Sequence, residues 1–240
     1  MKMKVITKGL RKALPLQYCG AVIVAAGTAS RMGGIDKVMA PLCGEPMIRR
    51  TIATFQECDA IREIVVVTRE DLLAEMVCLC AEFSKVCSVV VGGADRPASV
   101  AAGLRNLSKK VKLAAIHDGA RPLVSAELID RTVRAAHSYG AAAPAIAVKD
   151  TIKVAQGGIV VTTPDRNTLR AVQTPQVFDL QLLRGALQKV EKDGLTITDD
   201  CSAMEHLGMS VKLVEGEERN LKITTPMDLK IAAMILEEEK

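Results

Sequence analysis

The chain has 240 residues, 49% hydrophobic and 25% charged, the balance of a globular protein long enough for one large α/β domain or two small ones. Aromatic residues make up 2% and are scattered as Tyr18, Phe55, Phe83, Tyr139 and Phe178, so the stacking platform of a single-strand nucleic-acid binder is missing. The net charge of +4, without a basic stripe beyond the N-terminus, suits a small anionic ligand and argues against nucleic acid.

The seven cysteines are odd in number and contain no C-x-x-C pair. Reduced thiols in a cytoplasmic protein are expected, and the spacing offers no zinc site. Lys2, Lys4, Lys8, Arg11 and Lys12 precede the apolar run Ala21–Ala26, which superficially resembles a secretory leader. That run is short, and Arg31 and Lys37 follow it closely. It reads as a buried strand behind a basic extension over 1–18. No apolar stretch approaches the ~18 residues needed to span a bilayer.

In chain order, apolar runs alternate with helical patterns. A strand over 20–26 leads to a helix near 46–58, a strand over 63–68, a helix near 70–83 and a strand over 86–91. A helix near 97–107 follows, with Pro97 in its first turn, then a strand over 112–117, a helix near 125–138 and a strand over 141–148. Val148–Val154 and Gly158–Val161 flank Gln156-Gly157-Gly158, a hairpin signal that interrupts the rhythm; pattern alone allows an arm or a flap on the main sheet. Helices near 179–192 and 199–207, the latter closed by Gly208, precede a strand over 211–214 and a helix over 226–238 with Thr225 as N-cap. Near-continuous apolar strands alternating with helices predict a doubly wound, mostly parallel sheet. With no linker or repeat, residues 19–240 form a single domain, and 148–172 are its projecting element.

The turn after the first strand, Gly27-Thr28-Ala29-Ser30-Arg31-Met32-Gly33-Gly34, sits where a wound sheet binds ligands. It is not a P-loop, because no Lys-Ser or Lys-Thr follows Gly33. It is not a dinucleotide fingerprint, because Ala29 and Met32 occupy two of the glycine positions. Free backbone N–H groups beside the cations Arg31 and Lys37 instead suit a triphosphate.

Ala25-Ala26-Gly27 with Arg31-Met32 and Lys37 resembles the signature of the sugar nucleotidyltransferases. Gly92-Gly93-Ala94-Asp95-Arg96-Pro97-Ala98-Ser99-Val100 looks like their G-G-x-x-R-x-x-S-V, and His117-Asp118-Gly119-Ala120-Arg121-Pro122 like their H-D-x-A-R-P. Val148-Lys149-Asp150-Thr151-Ile152-Lys153, Asp165-Arg166, Gln173-Thr174-Pro175-Gln176, Thr196-Ile197-Thr198-Asp199-Asp200 and Asn220-Leu221-Lys222-Ile223-Thr224 follow in order. Together they span residues 20–230 and are similar to the 2-C-methyl-D-erythritol 4-phosphate cytidylyltransferase family. Val24, Ala29, Val38 and Ala94 depart from its usual pattern.

The resemblance implies a Rossmann-like nucleotidyltransferase fold with a projecting β-hairpin arm. It implies transfer of CMP from CTP to a polyol phosphate, with release of pyrophosphate, in non-mevalonate isoprenoid biosynthesis. Arg31, Lys37, Arg166 and Lys222 are the expected catalytic cations. Ala25, Ala26, Gly27, Gly93 and Ser99 are the expected nucleotide site. Asp118, Arg121, Thr151, Thr198, Arg166 and Lys222 are the expected acceptor site. Magnesium would ride mainly on the CTP phosphates, with Asp118 the one candidate protein ligand. The arm would join a homodimer and carry Thr151 and Arg166 to the partner's site. His117 reads as a packed strand-end histidine. Ribitol-5-phosphate cytidylyltransferase, an NAD-dependent dehydrogenase and a non-catalytic nucleotide-binding module are the competing readings.

Overall fold

Cys19–Val24 (β1) is apolar throughout because both of its faces are covered. In the computed structural model, which describes residues 16–27 and 38–238, Ala21 and Ile23 pack into one core and Val22 into another on the opposite side. Ile61–Thr68 (β4) and Leu113–Asp118 (β6) flank β1 in parallel, and Val86–Val91 (β5) extends the sheet beyond β4. Between β1 and β4 lie the short hairpin of Pro41–Leu42 (β2) and Glu45–Pro46 (β3) and the helix Met47–Glu57 (α1). Helix Leu73–Cys80 (α2) joins α1 and Ala126–Tyr139 (α4) on the first face, through Phe55, Met76 and Leu128. Arg96–Arg105 (α3) covers the second face through Val100 and Leu104.

Ala141–Ala147 (β7) follows α4, whose left-handed C-cap is Gly140. Beyond it, Val154–Gln156 (β8) and Ile159–Thr162 (β9) form a two-stranded sheet of their own around Gly157 and Gly158, both at positive φ. The hairpin is therefore an arm, not a flap on the main sheet. It is shorter than the sequence predicts, since residues 148–153 form no strand. Arg170–Val172 (β10) returns beside β7. Gln176–Asp179 (β11) then inserts antiparallel between β6 and β7. Neither strand is expected from periodicity; β11 has only Val177 and Phe178 as buried apolar residues, too few to register a period.

Leu180–Lys192 (α5) and Asp200–His206 (α6) complete the second face. Lys212–Glu215 (β12) pairs in parallel with the outer edge of β7. Pro226–Glu238 (α7) starts with Thr225 Oγ1 accepting the Asp228 N–H, as its cap residue predicts. All seven cysteines are free thiols, and no helix among the described residues is long and apolar enough to cross a membrane.

Candidate active site

Strand β1 ends level with β6: Val24 lies opposite Asp118 in the parallel register. Gly119 donates its N–H to the Val24 carbonyl at 2.9 Å, and Ala25 donates to Val67 at 2.7 Å. The chain after β1 is thus pinned on both sides before Ala26 and Gly27 leave the sheet. This is the point where the strand order turns in opposite directions, and a crevice opens there.

One wall is the Gly92–Gly93 turn into α3. A Cβ on Gly93 would lie 2.4 Å from the Ala98 Cβ, and one on Gly92 would lie 2.6 Å from the Ala26 Cβ, so only glycine admits this close approach. Ser99 accepts the Gly93 N–H at 3.1 Å and donates to the Asp95 carbonyl at 2.8 Å, which holds the turn in shape. Asp95 caps α3 by accepting from Ala98. The opposite wall is Asp118 with Lys222. The segment carrying Lys222 is laid down by Ile223, whose N–H donates to the Ala120 carbonyl, and by buried Asn220, whose amide donates to the Thr174 carbonyl. The resulting cleft holds about 310 Å³, with Gly27, Gly93, Ser99, Arg96, Asp118 and Lys222 converging on it. A larger groove of about 470 Å³ between α3 and α5 shares only Gly93 and Asp95 with it and is mostly aliphatic.

Asp118 is the electrostatic centre. Lys222 Nζ lies 2.8 Å from its Oδ2, Arg96 Nη2 is 3.6 Å from Oδ1, and Arg121 Nε is 3.9 Å from Oδ2. Burial pushes the carboxyl upward, yet Lys222, then Arg96 and Arg121, pull it well below the usual carboxylate range. Its neighbour His117 is fully buried against Phe55. It accepts from Thr174 Oγ1 at Nδ1, and its Nε2 faces the Arg121 carbonyl, 3.3 Å away. Thr174 Oγ1 in turn accepts the Asp118 N–H. The proton on Nε2 follows from that pattern. Burial pushes the imidazole down to about 3, so it stays neutral and positions the Asp118 turn.

A model of the 2-C-methyl-D-erythritol 4-phosphate cytidylyltransferase family matches residues 19–238. The chain belongs to this family. A family member from Caldanaerobacter subterraneus subsp. tengcongensis is 43% identical over 221 residues, spanning 90% of this chain and 97% of the relative. One from Symbiobacterium thermophilum is 42% identical, spanning 91% and 92%. The crystal structure of 4-diphosphocytidyl-2C-methyl-D-erythritol synthase from Anaerococcus prevotii matches with a TM-score of 0.85 at 30% identity, covering 93% of this chain and 100% of that one. The cytidylyltransferase from Thermus thermophilus matches at 0.75 and 33%, covering 92% and 100%.

In this cytidylyltransferase, Ala25, Ala26, Gly27, Gly93, Ser99, Asp118 and Lys222 share the one cleft that the sequence predicts for them. Arg31 and Lys37 lie outside the described residues, as does Ala29. Arg121, expected at the acceptor, does not line the cleft: its Nη1 donates to the Asn220 carbonyl at 2.6 Å, and it backs Asp118 from behind. Thr198 sits before α6, near Ser202, off the cleft wall. Thr151 and Arg166 are on the arm, where Arg166 donates to the Lys149 carbonyl; neither lines this chain's cleft. Two residues escape the sequence reading. Arg96 enters the cleft and bonds buried Asp200 at 2.7 Å. The arginine of G-G-x-x-R and the doubled acid at 199–200 were the available signals.

Proposed function

We propose that the chain joins the CMP moiety of CTP to 2-C-methyl-D-erythritol 4-phosphate in this cleft, with pyrophosphate leaving, as its family membership implies. The observation that carries the assignment of roles is the Asp118–Lys222 pair, placed directly across from the Gly27 and Gly93 backbone. Gly27, Gly93 and Ser99 hold the nucleotide. Asp118 accepts hydrogen bonds from acceptor hydroxyls, and Lys222 exchanges part of its contact with Asp118 for an acceptor phosphate oxygen.

The acceptor phosphate is mostly dianionic at neutral pH, because its second pKa is about 6. It attacks the α-phosphorus without a general base, and the cleft offers no base–nucleophile pair among the described residues. The difficulty is the approach of two anions, which fixed cations relieve as negative charge moves onto the leaving pyrophosphate. Among the described residues, Arg96 and Lys222 line the cleft and Arg121 backs it, each drawn toward Asp118; by family resemblance Arg31 and Lys37 supply the further cations the step needs.

No group of three His, Cys, Asp or Glu side chains gathers to hold a metal among the described residues. Asp118 is a hard oxygen donor at the cleft, and magnesium needs only one or two carboxylates beside phosphate oxygens and water. Held by Asp118 and phosphate oxygens, magnesium would neutralise triphosphate charge. The partner is a second copy: Ile159, Val160 and Val161 are 73%, 55% and 62% exposed on the arm, an apolar strip that a homodimer would cover while Thr151 and Arg166 reach the partner's acceptor site. A cytoplasmic enzyme fits seven free thiols.

Incubation with CTP, magnesium and methylerythritol phosphate should yield the diphosphocytidyl product by mass, with one pyrophosphate per product. Faster turnover of ribitol 5-phosphate would reassign the acceptor. CTP binding without pyrophosphate release from any polyol phosphate would leave a binding module.

A further inference from the structure

Arg96 stands between two carboxylates. Its Nη1 is 2.7 Å from Asp200 Oδ2, and its Nη2 is 3.6 Å from Asp118 Oδ1. Asp118 is at the cleft and carries Lys222 as well. Asp200 is completely buried, and its Oδ1 has no hydrogen-bond partner among the described residues. A lone bonded oxygen in full burial is a poor device for stability, since an apolar side chain would fill the space without stranding an acceptor. Capping does not explain it either, because Asp199 already caps α6 by accepting from Ser202.

The support beneath Asp200 is unusually complete. Gln176 Oε1 accepts the N–H groups of Asp200 and Cys201, and Gln176 Nε2 donates to Asp199. Gln176 itself sits opposite Ile116 in the β11–β6 register, two residues before Asp118. The start of α6 is thereby fastened to the strand that delivers Asp118.

We propose that Asp200 is a positioning residue for acceptor binding: it draws the Arg96 guanidinium off Asp118, so that Asp118 stays shared with Lys222 and open to acceptor hydroxyls, while Arg96 keeps its remaining N–H groups on the cleft wall. Without Asp200, the planar fork of Arg96 matches a carboxylate and would close bidentately on Asp118, displacing Lys222. The proposal rests on the reading of Asp118 and Lys222 as the acceptor site.

The test is steady-state kinetics of Asp200→Asn with each substrate varied in turn, beside thermal unfolding. The expected result is a rise of about tenfold in acceptor KM, the scale of one charge-assisted hydrogen bond. The CTP KM should move less than about twofold in the same variant, under about a third of a decade on that scale. Asp200→Glu should recover part of the loss. In an Arg96→Gln background, Asp200→Asn should add nothing further, as for two residues acting through one contact. Unchanged acceptor KM in a folded Asp200→Asn enzyme overturns the proposal. So do additive effects of the two substitutions, or equal rises in both KM values. If Asp200→Asn does not fold, Asp200→Glu decides: its displaced carboxylate should hold Arg96 off Asp118 only in part, so an unchanged acceptor KM there also overturns it. Lys222→Ala separates the underlying reading. If it leaves acceptor KM unchanged, the acceptor site itself is misassigned; if it raises KM and Asp200→Asn does not, only the role of Asp200 fails.

Discussion

Lys222 Nζ meets Asp118 Oδ2 at 2.8 Å, although Asp118 lies mid-chain and Lys222 close to the last helix. The contact joins the end of β6 to the segment before α7. Removing the ammonium leaves a mostly buried carboxylate short of its nearest cation. Lys222→Ala should lower kcat/KM for the acceptor by ~10²–10³, the usual loss for one preorganised electrostatic group. Pyrophosphate-release kinetics with acceptor varied at saturating CTP would check this, and a loss below tenfold would remove Lys222 from the site.

The histidine beside that carboxylate gives a stability signature. Its folded-state value of about 3 lies below the ~6.5 of an unfolded chain. Between these values the unfolded state binds more protons, so stability must fall as pH drops through that window. At roughly 1.4 kcal/mol per unit, lowering the pH from 6.5 to 4.5 removes about 2–3 kcal/mol through this group. His117→Gln should lose correspondingly less over the same interval in urea denaturation. Identical losses in the two proteins would show that His117 is not held neutral.

Two glycines at the cleft should respond differently. A Cβ on Gly27 meets nothing within 4 Å among the described residues, so Gly27→Ala should leave the melting temperature unchanged while raising the CTP KM. Gly93→Ala forces a 2.4 Å contact with Ala98, and should also destabilise the fold by about 1–3 kcal/mol. Differential scanning calorimetry with CTP titrations reads both. Equal stability losses would contradict the packing described for the α3 turn.

The arm makes a prediction in trans. Arg166→Ala should weaken acceptor binding and leave CTP affinity nearly unchanged. If Arg166 serves the neighbouring protomer, co-expressed Arg166→Ala and Lys222→Ala chains should regain activity that neither homodimer has, because one site per mixed dimer is intact. No recovery in a verified mixed dimer would place Arg166 elsewhere. If the apolar strip pairs two copies, Val160→Asp should leave a monomer in light scattering where the parent chain runs as a dimer, since it puts a charge into that strip.

The alternating cores of β1 and β6 were legible because both sheet faces demand apolar residues at every position, which leaves long runs. The hairpin was legible because Gly157-Gly158 supplies two positive φ values that other residues resist. Strand β11 was not, since its pairing with β6 and β7 is decided by neighbours distant in the chain. Arg96 and Asp200 escaped for a related reason. A charge at the start of a helix has the same local pattern whether it faces solvent or bonds a buried group 104 residues away.

The sequence by itself determined the wound sheet, the glycine turns at its open end and the family, because each rests on local periodicity, backbone freedom or motifs in order. Only the tertiary structure decided which charges meet. The parallel register that sets Val24 beside Asp118, and the antiparallel insertion of β11 that carries Gln176 to the start of α6, bring Arg96, Asp118, Asp200 and Lys222 within one another's fields. Coulomb interactions act through space over a few ångströms, and no spacing along the chain encodes that distance.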